Sequence, residues 1–180
     1  MKTLLLFLLI STSCLAQEWT VTKTGLVAKN DDTKNFIIRE YSNIPADTLF
    51  AVAKKYIQSK YGGAINVIKS EEAGKFLNFE IADRSVSKVK RNKADVEYFV
   101  TYKGILEFKD NKAKITFSTV EPYYIDSANE KFSLPFTSYW NSDRKLVDKE
   151  SKKLIETHFN TFTKQLFDTL NINNKVSSEW

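Results

Sequence analysis

Acid–base and nucleophilic catalysis need particular side chains, and this 180-residue chain supplies few of them. Cysteine occurs once, at Cys14, and histidine once, at His158. A Ser-His-Asp set would have to use His158 as its base. A zinc site draws on several Cys or His ligands and lacks the donors here. His158 lies one turn from both Leu154 and Phe162, on or beside an apolar stripe, so packing with a local hydrogen bond is its expected role. Carboxylates are more plentiful, with adjacent pairs at Asp31-Asp32 and Glu71-Glu72. A glycosidase needs two acids held across a cleft. Adjacent residues on a strand point to opposite faces, and in a turn they face water. Asn30-Asp31-Asp32 lacks the loop pattern of a dedicated calcium site, and Gly62-Gly63 reads as a helix C-cap without phosphate-loop context. The expectation is a protein with no catalytic residues, no cofactor and no metal, hence not an enzyme.

Aromatic side chains offer contact instead of turnover. Tyr123, Tyr124, Phe132, Phe136, Tyr139 and Trp140 fall in a stretch, 122–145, that loses periodicity and is punctuated by Pro122 and Pro135. Long unpatterned connections in compact domains tend to be functional or disordered, and this one is too aromatic for disorder. Its rings either plug the open end of a core or form a contact patch for a hydrophobic ligand, a sugar face or a partner protein. A basic run, Lys88, Lys90, Arg91 and Lys93, reads as a solvated loop or a lysine-guarded edge strand. Its functional alternative is peripheral contact with anionic lipid. The net charge of +5 is too mild and too dispersed to imply nucleic acid as a partner.

These residues have to be positioned by a small set of elements. Residues 1–16 carry Lys2, the apolar run Leu4 to Ile10, then Ser11-Thr12-Ser13 and Cys14-Leu15-Ala16. This is the layout of a secretory signal peptide, too short in its apolar part to span a bilayer. Cleavage after Ala16 would start the exported, periplasmic or secreted protein at Gln17, without a cysteine and so without a disulfide. Lipid anchoring through Cys14 is disfavoured because Ser11 stands where an aliphatic residue is preferred. Residues 17–35 read as an N-terminal arm or edge strand, 36–172 as a single domain and 173–180 as a flexible tail.

Within the domain, Phe36 to Tyr41 is a strand by β-propensity. A helix opens after Pro45, and its apolar face is Leu49, Phe50, Ala53, Tyr56, Ile57 and Tyr61. Strands follow at 64–69, around Leu77, Phe79 and Ile81, and at Val96 to Phe108, the longest. The last alternates with a period of two, broken only by Phe99 and Ile105. A turn at Lys109 to Lys112 returns the chain through Ala113, Ile115 and Phe117. A long helix from about Val147 to Leu170 has the stripe Ile155, Phe159, Phe162, Leu166 and Leu170. One-sided strands need a cover, and two amphipathic helices supply it. The expected fold is a two-layer α+β domain in the order strand, helix, four strands, helix, with both helices on one face of an antiparallel sheet.

Within that order stand the helix Leu49-Phe50-Ala51-Val52-Ala53-Lys54-Lys55-Tyr56, the turn Glu71-Glu72-Ala73-Gly74-Lys75, and the hairpin from Tyr102-Lys103-Gly104 to Lys109-Asp110-Asn111-Lys112-Ala113-Lys114. With these residues the chain resembles a bacterial envelope domain family of unknown function with a TATA-binding-protein-like (TBP-like) fold. The resemblance covers roughly residues 36–121. The family has no assigned activity and brings no catalytic residues, and the fold label does not imply DNA binding. The functional expectation is a secreted or periplasmic, non-enzymatic binding or interaction domain of the cell envelope. The alternative is a carboxylate-dependent hydrolase of glycan or peptidoglycan.

Overall fold

The computed structural model describes residues 17–62, 67–91 and 94–171. The expected signal segment 1–16 with Cys14, the tail 173–180, Gly63 and Lys93 lie outside the described residues, as do the side chains of Lys90 and Arg91. The elements are β1 (Trp19–Thr22), β2 (Gly25–Ala28), β3 (Phe36–Glu40), α1 (Ala46–Tyr61), β4 (Ile68–Glu72), β5 (Phe76–Arg91), β6 (Ala94–Lys109), β7 (Lys112–Ile125), β8 (Lys131–Ser133) and α2 (Lys149–Leu170). A single 3-10 turn, Phe136–Tyr139, precedes α2.

The architecture is the expected α+β one. An antiparallel sheet runs β3-β7-β6-β5-β4, with β3 and β8 on the same side of β7 but at opposite ends of it. Alternate residues of its strands point at the helices: Leu77, Phe79 and Ile81 on β5, Tyr98, Val100, Tyr102 and Leu106 on β6, and Ala113, Ile115 and Phe117 on β7, all buried. The helix stripes meet them, with Phe159 edge-on to Phe117 and Tyr102 at 4.5 and 5.0 Å between centroids. Phe50 of α1 meets Phe108 at 5.9 Å. Gly104, facing the same core, is covered by the Phe79 ring, and a Cβ there would stand 2.2 Å from the ring's Cζ.

Caps explain where the helices begin. In α2, Asp148 accepts from the Ser151 N–H at 3.0 Å, the usual first-turn cap. For α1 the cap comes from elsewhere in the chain. Pro45 has no capping side chain, and the β6–β7 turn provides one, Asp110 accepting from Ala46 N–H at 2.9 Å. The adjacent Asn111 accepts from Ile44 N–H at 2.8 Å. Asn111 also takes the left-handed conformation the turn requires (φ 64°).

Four expectations are corrected. Residues 17–35 are neither a loose arm nor an edge strand of the main sheet. They form the separate hairpin β1–β2, which lies on α2 and shares the core through Trp19, Val21 and Leu26. The strand expected at 64–69 is displaced to Ile68–Glu72, residues 64–66 being outside the described set. The strand around Leu77 extends to Arg91, as long as β6. Residues 122–145 are not wholly irregular either, because β7 continues to Ile125 and β8 pairs with its end. The reason is a register shift at Lys103/Gly104. Phe117 is the last odd-numbered residue of β7 to face the core, and beyond the extra residue Val120 and Tyr124 take over. A bulge inverts the parity of a strand, so the alternation is present but reads as lost.

Candidate functional site

The six aromatics of segment 122–140 separate onto two faces of the sheet. Tyr124 faces the helix layer and is the middle of a column, 5.9 Å from Tyr98 on one side and 4.9 Å from Phe132 on the other. The Phe132 ring lies within 14° of parallel to Tyr124 and is 37% exposed, closing the column at the surface. Tyr139, fully buried, meets Phe136 edge-on at 5.8 Å and carries half-buried Trp140 stacked at 6.1 Å. Its carbonyl receives the Val147 and Asp148 N–H groups, which ties this end to the start of α2. Burial, with Asp148 close by, pushes the Tyr139 phenol up. Tyr123 points the other way. It stacks on Phe99 at 5.3 Å and 9°, is covered by the Lys131 ammonium 3.7 Å from its centroid, and donates to Asp83 at 2.7 Å. This explains Phe99, which interrupts the alternation of β6 because it has an aromatic partner on the uncovered face.

The rings of the segment differ in exposure. Tyr123, Phe136 and Tyr139 are buried, Tyr124 and Trp140 are half-buried, and Phe132 presents its ring. Among the basic residues, Lys88 sits on β5 beyond the reach of β4 and pairs with Glu97 at 3.3 Å. The carboxylate pairs are dispersed. Asp31 binds Lys34 at 2.7 Å and accepts from Thr33, which together hold its carboxyl down at about 2. Glu71 and Glu72 turn to different lysines, Lys54 and Lys75. Neither pair forms a two-acid site.

A second feature was not expected. Where β5 leaves β4 behind, a groove of about 520 Å³ opens between β5, α1 and α2. Lys60, Tyr61, Arg84, Val86, His158 and Phe162 are among its lining residues. The register of β5 shifts between Ile81 and Arg84, and Asp83 in that gap is left-handed (φ 50°). The bulge sends the Asp83 carboxylate to the uncovered face and Arg84 to the helix side, 5.6 Å from the Tyr61 centroid. His158 is half-buried at the groove, its ring 5.8 Å from that of Tyr102. Its Nε2 is buried with no hydrogen-bond partner among the described residues. Burial first, then the charges of Arg84 and Lys60, lower its pKa to about 4. Sequence reading had no way to the groove, since Arg84 arrives there only through a bulge.

Comparisons with known proteins bear on the fold. No protein-family model matches the chain, and no curated protein matches it. Two solved structures are similar. A TBP-like protein from Parabacteroides distasonis superposes with a TM-score of 0.52 at 15% identity, over 75% of this chain and 90% of that one. A DUF4468 family protein from Bacteroides ovatus gives 0.51 at 12% identity, over 75% and 81%. The chain thus has the TBP-like α+β fold, as its resemblance implied, and its structural neighbours are bacterial proteins of which one is classed only by a domain of unknown function.

Proposed function

We propose that the chain is a non-enzymatic binding domain of the bacterial cell envelope, exported by residues 1–16. Its contact is made by the exposed end of the aromatic column, Phe132 on Tyr124, with Trp140 beside the same connection. The observation that carries this is the parallel Phe132–Tyr124 stack, 4.9 Å apart and open to solvent on its outer ring. A flat, supported ring face suits a sugar ring or an apolar partner surface, and it needs no ordering on binding. The runner-up, a carboxylate-dependent hydrolase, would need two acids facing one cleft. Glu18 and Glu40 do line one cavity of about 380 Å³ beside β3. Each is instead held by a lysine, Lys29 at 2.7 Å and Lys112 at 2.8 Å, in the manner of surface ion pairs. Peripheral lipid contact through the 88–93 run is a lesser part of the proposal, weakened by the Lys88–Glu97 pair.

The test uses purified chain 17–180 with insoluble peptidoglycan sacculi in one co-sedimentation arm and detergent-solubilised envelope proteins in another. Phe132→Ala should abolish pelleting or capture in whichever arm shows it, while leaving the melting temperature within about 2 °C, since an exposed site contributes little stability. Release of sugar or peptide fragments from the sacculi by wild type would replace this reading with the hydrolase. Unchanged binding by Phe132→Ala would remove the column from it.

A further inference from the structure

The groove between β5, α1 and α2 has a charge balance that the aromatic column does not use. Lysines elsewhere on the surface are commonly paired, as in Lys29–Glu18, Lys112–Glu40 and Lys114–Glu107. In the groove Lys60 donates to Gln165 Oε1 at 2.6 Å and to the Tyr56 hydroxyl at 2.8 Å. It stands between 5.2 and 5.9 Å from the Tyr56, Phe162 and Tyr61 centroids. Arg84 lies over Tyr61. Among the described residues no carboxylate lines this groove, so two cations share one concave site without a counter-charge. The left-handed Asp83 is the second observation. A non-glycine residue in that conformation is strained, and here it is what turns Arg84 inward. The third is His158, whose ring lines the groove and whose buried Nε2 has no hydrogen-bond partner among the described residues, an arrangement that is costly.

We propose that this groove binds a small organic anion, its carboxylate or phosphate oxygens held between Arg84 and Lys60 and facing His158, with its apolar body against Phe162, Val86 and Leu154. The guanidinium fork matches the planar or tetrahedral oxygens of such a group, and the lysine adds a compact point charge. Burial and the neighbouring Arg84 already hold Lys60 below the usual lysine range, so an arriving anion relieves a repulsion that exists without it. The same anion offsets the two charges that disfavour a proton on His158. The hydroxyls of Tyr61 and Tyr102, 3.2 Å apart, bond each other at the floor and leave the anion to the cations. This site is separate from the Phe132 column and stands or falls without it.

Because His158 is the single histidine, its ring proton resonances report the site directly. The probes are benzoate, phenyl phosphate and inorganic phosphate, with neutral benzamide as the uncharged control, added to chain 17–180. At least one anion should shift the His158 signals saturably and raise its titration midpoint, and benzamide should do neither. Arg84 is exposed, so Arg84→Gln should fold normally and weaken the anion about tenfold or more. Lys60→Gln should do likewise, while Lys164→Gln and Phe132→Ala should leave affinity unchanged. Preference for benzoate or for phenyl phosphate identifies the oxygen set and supports the site either way. Three silent anions, an equal response to benzamide, or a shift surviving in the Arg84→Gln/Lys60→Gln double variant would overturn the proposal.

Discussion

At the residue scale, the imidazole of His158 governs part of the dependence of stability on pH. Its folded pKa of about 4 lies below the ordinary value of 6.5, so the unfolded chain binds this proton first as pH falls. The full stability is present above pH 6.5 and is lost progressively down to about pH 4, by an amount on the order of 3 kcal/mol. His158→Gln should cost about 0.5–2 kcal/mol near neutrality through lost packing, yet flatten the slope in that window. Urea melts of both proteins at pH 4, 5, 6 and 7 compare the slopes, and parallel curves would contradict the assignment. Gly104 is governed by space instead of charge. A methyl group there would enter the Phe79 ring, itself 1% exposed, so Gly104→Ala should destabilise by about 1–3 kcal/mol. Phe79→Leu in the same chain should recover part of that loss, because the added methyl would then have room.

At the scale of elements, the N-terminal hairpin is joined to the last helix. Trp19 is 1% exposed, and its Nε1 donates to Thr163 at 2.9 Å. Asn160 bonds both its N–H and its carbonyl, and Glu156 accepts from Thr20 and from Val21 N–H. Trp19→Ala should cost about 3–5 kcal/mol, measured by chemical denaturation; a loss below about 1 kcal/mol would make β1–β2 the arm that its sequence suggested. The hairpin was illegible because Trp19 and Val21 form too short an alternation to show what they pack against. By contrast α1, α2, β6 and the β6–β7 turn were legible from apolar spacing alone, since each has a period long enough to fix which face is buried. The aromatic segment was half legible. Its residues were found, but the parity change after Phe117 hid that Tyr123 and Tyr124 face opposite sides. The cationic groove could not be read at all, because Lys60, Arg84 and His158 belong to three elements that meet only in the fold.

At the scale of the whole molecule, the uncovered sheet face decides which partners it tolerates. Among the described residues its lysines are largely paired in place: Lys88 with Glu97, Lys103 with Glu80, Lys112 with Glu40 and Lys114 with Glu107. Such exposed pairs add little stability, about 0–1 kcal/mol each, but they leave few free cations to displace counterions from a phosphate backbone. A labelled random duplex should therefore show no saturable anisotropy change at about 0.15 M salt, TBP-like topology notwithstanding. Saturable binding that weakens steeply with added salt would count against this.

The bond from Trp19 to Thr163 spans 144 positions of the chain, and that separation has a consequence in time. β5, β6 and β7 are consecutive strands separated by few residues, so their pairing closes small loops and is favoured to form early. The β1–β2 hairpin meets the Phe117 ring of β7 through Trp19, 5.2 Å between centroids, but its side-chain hydrogen bonds to other elements come from α2, the last of these elements in chain order. Until α2 forms, the bonds that it gives Trp19, Thr20 and Val21 are missing. A nascent chain interrupted before Lys149 would lack those bonds and keep the α2-facing side of the hairpin open.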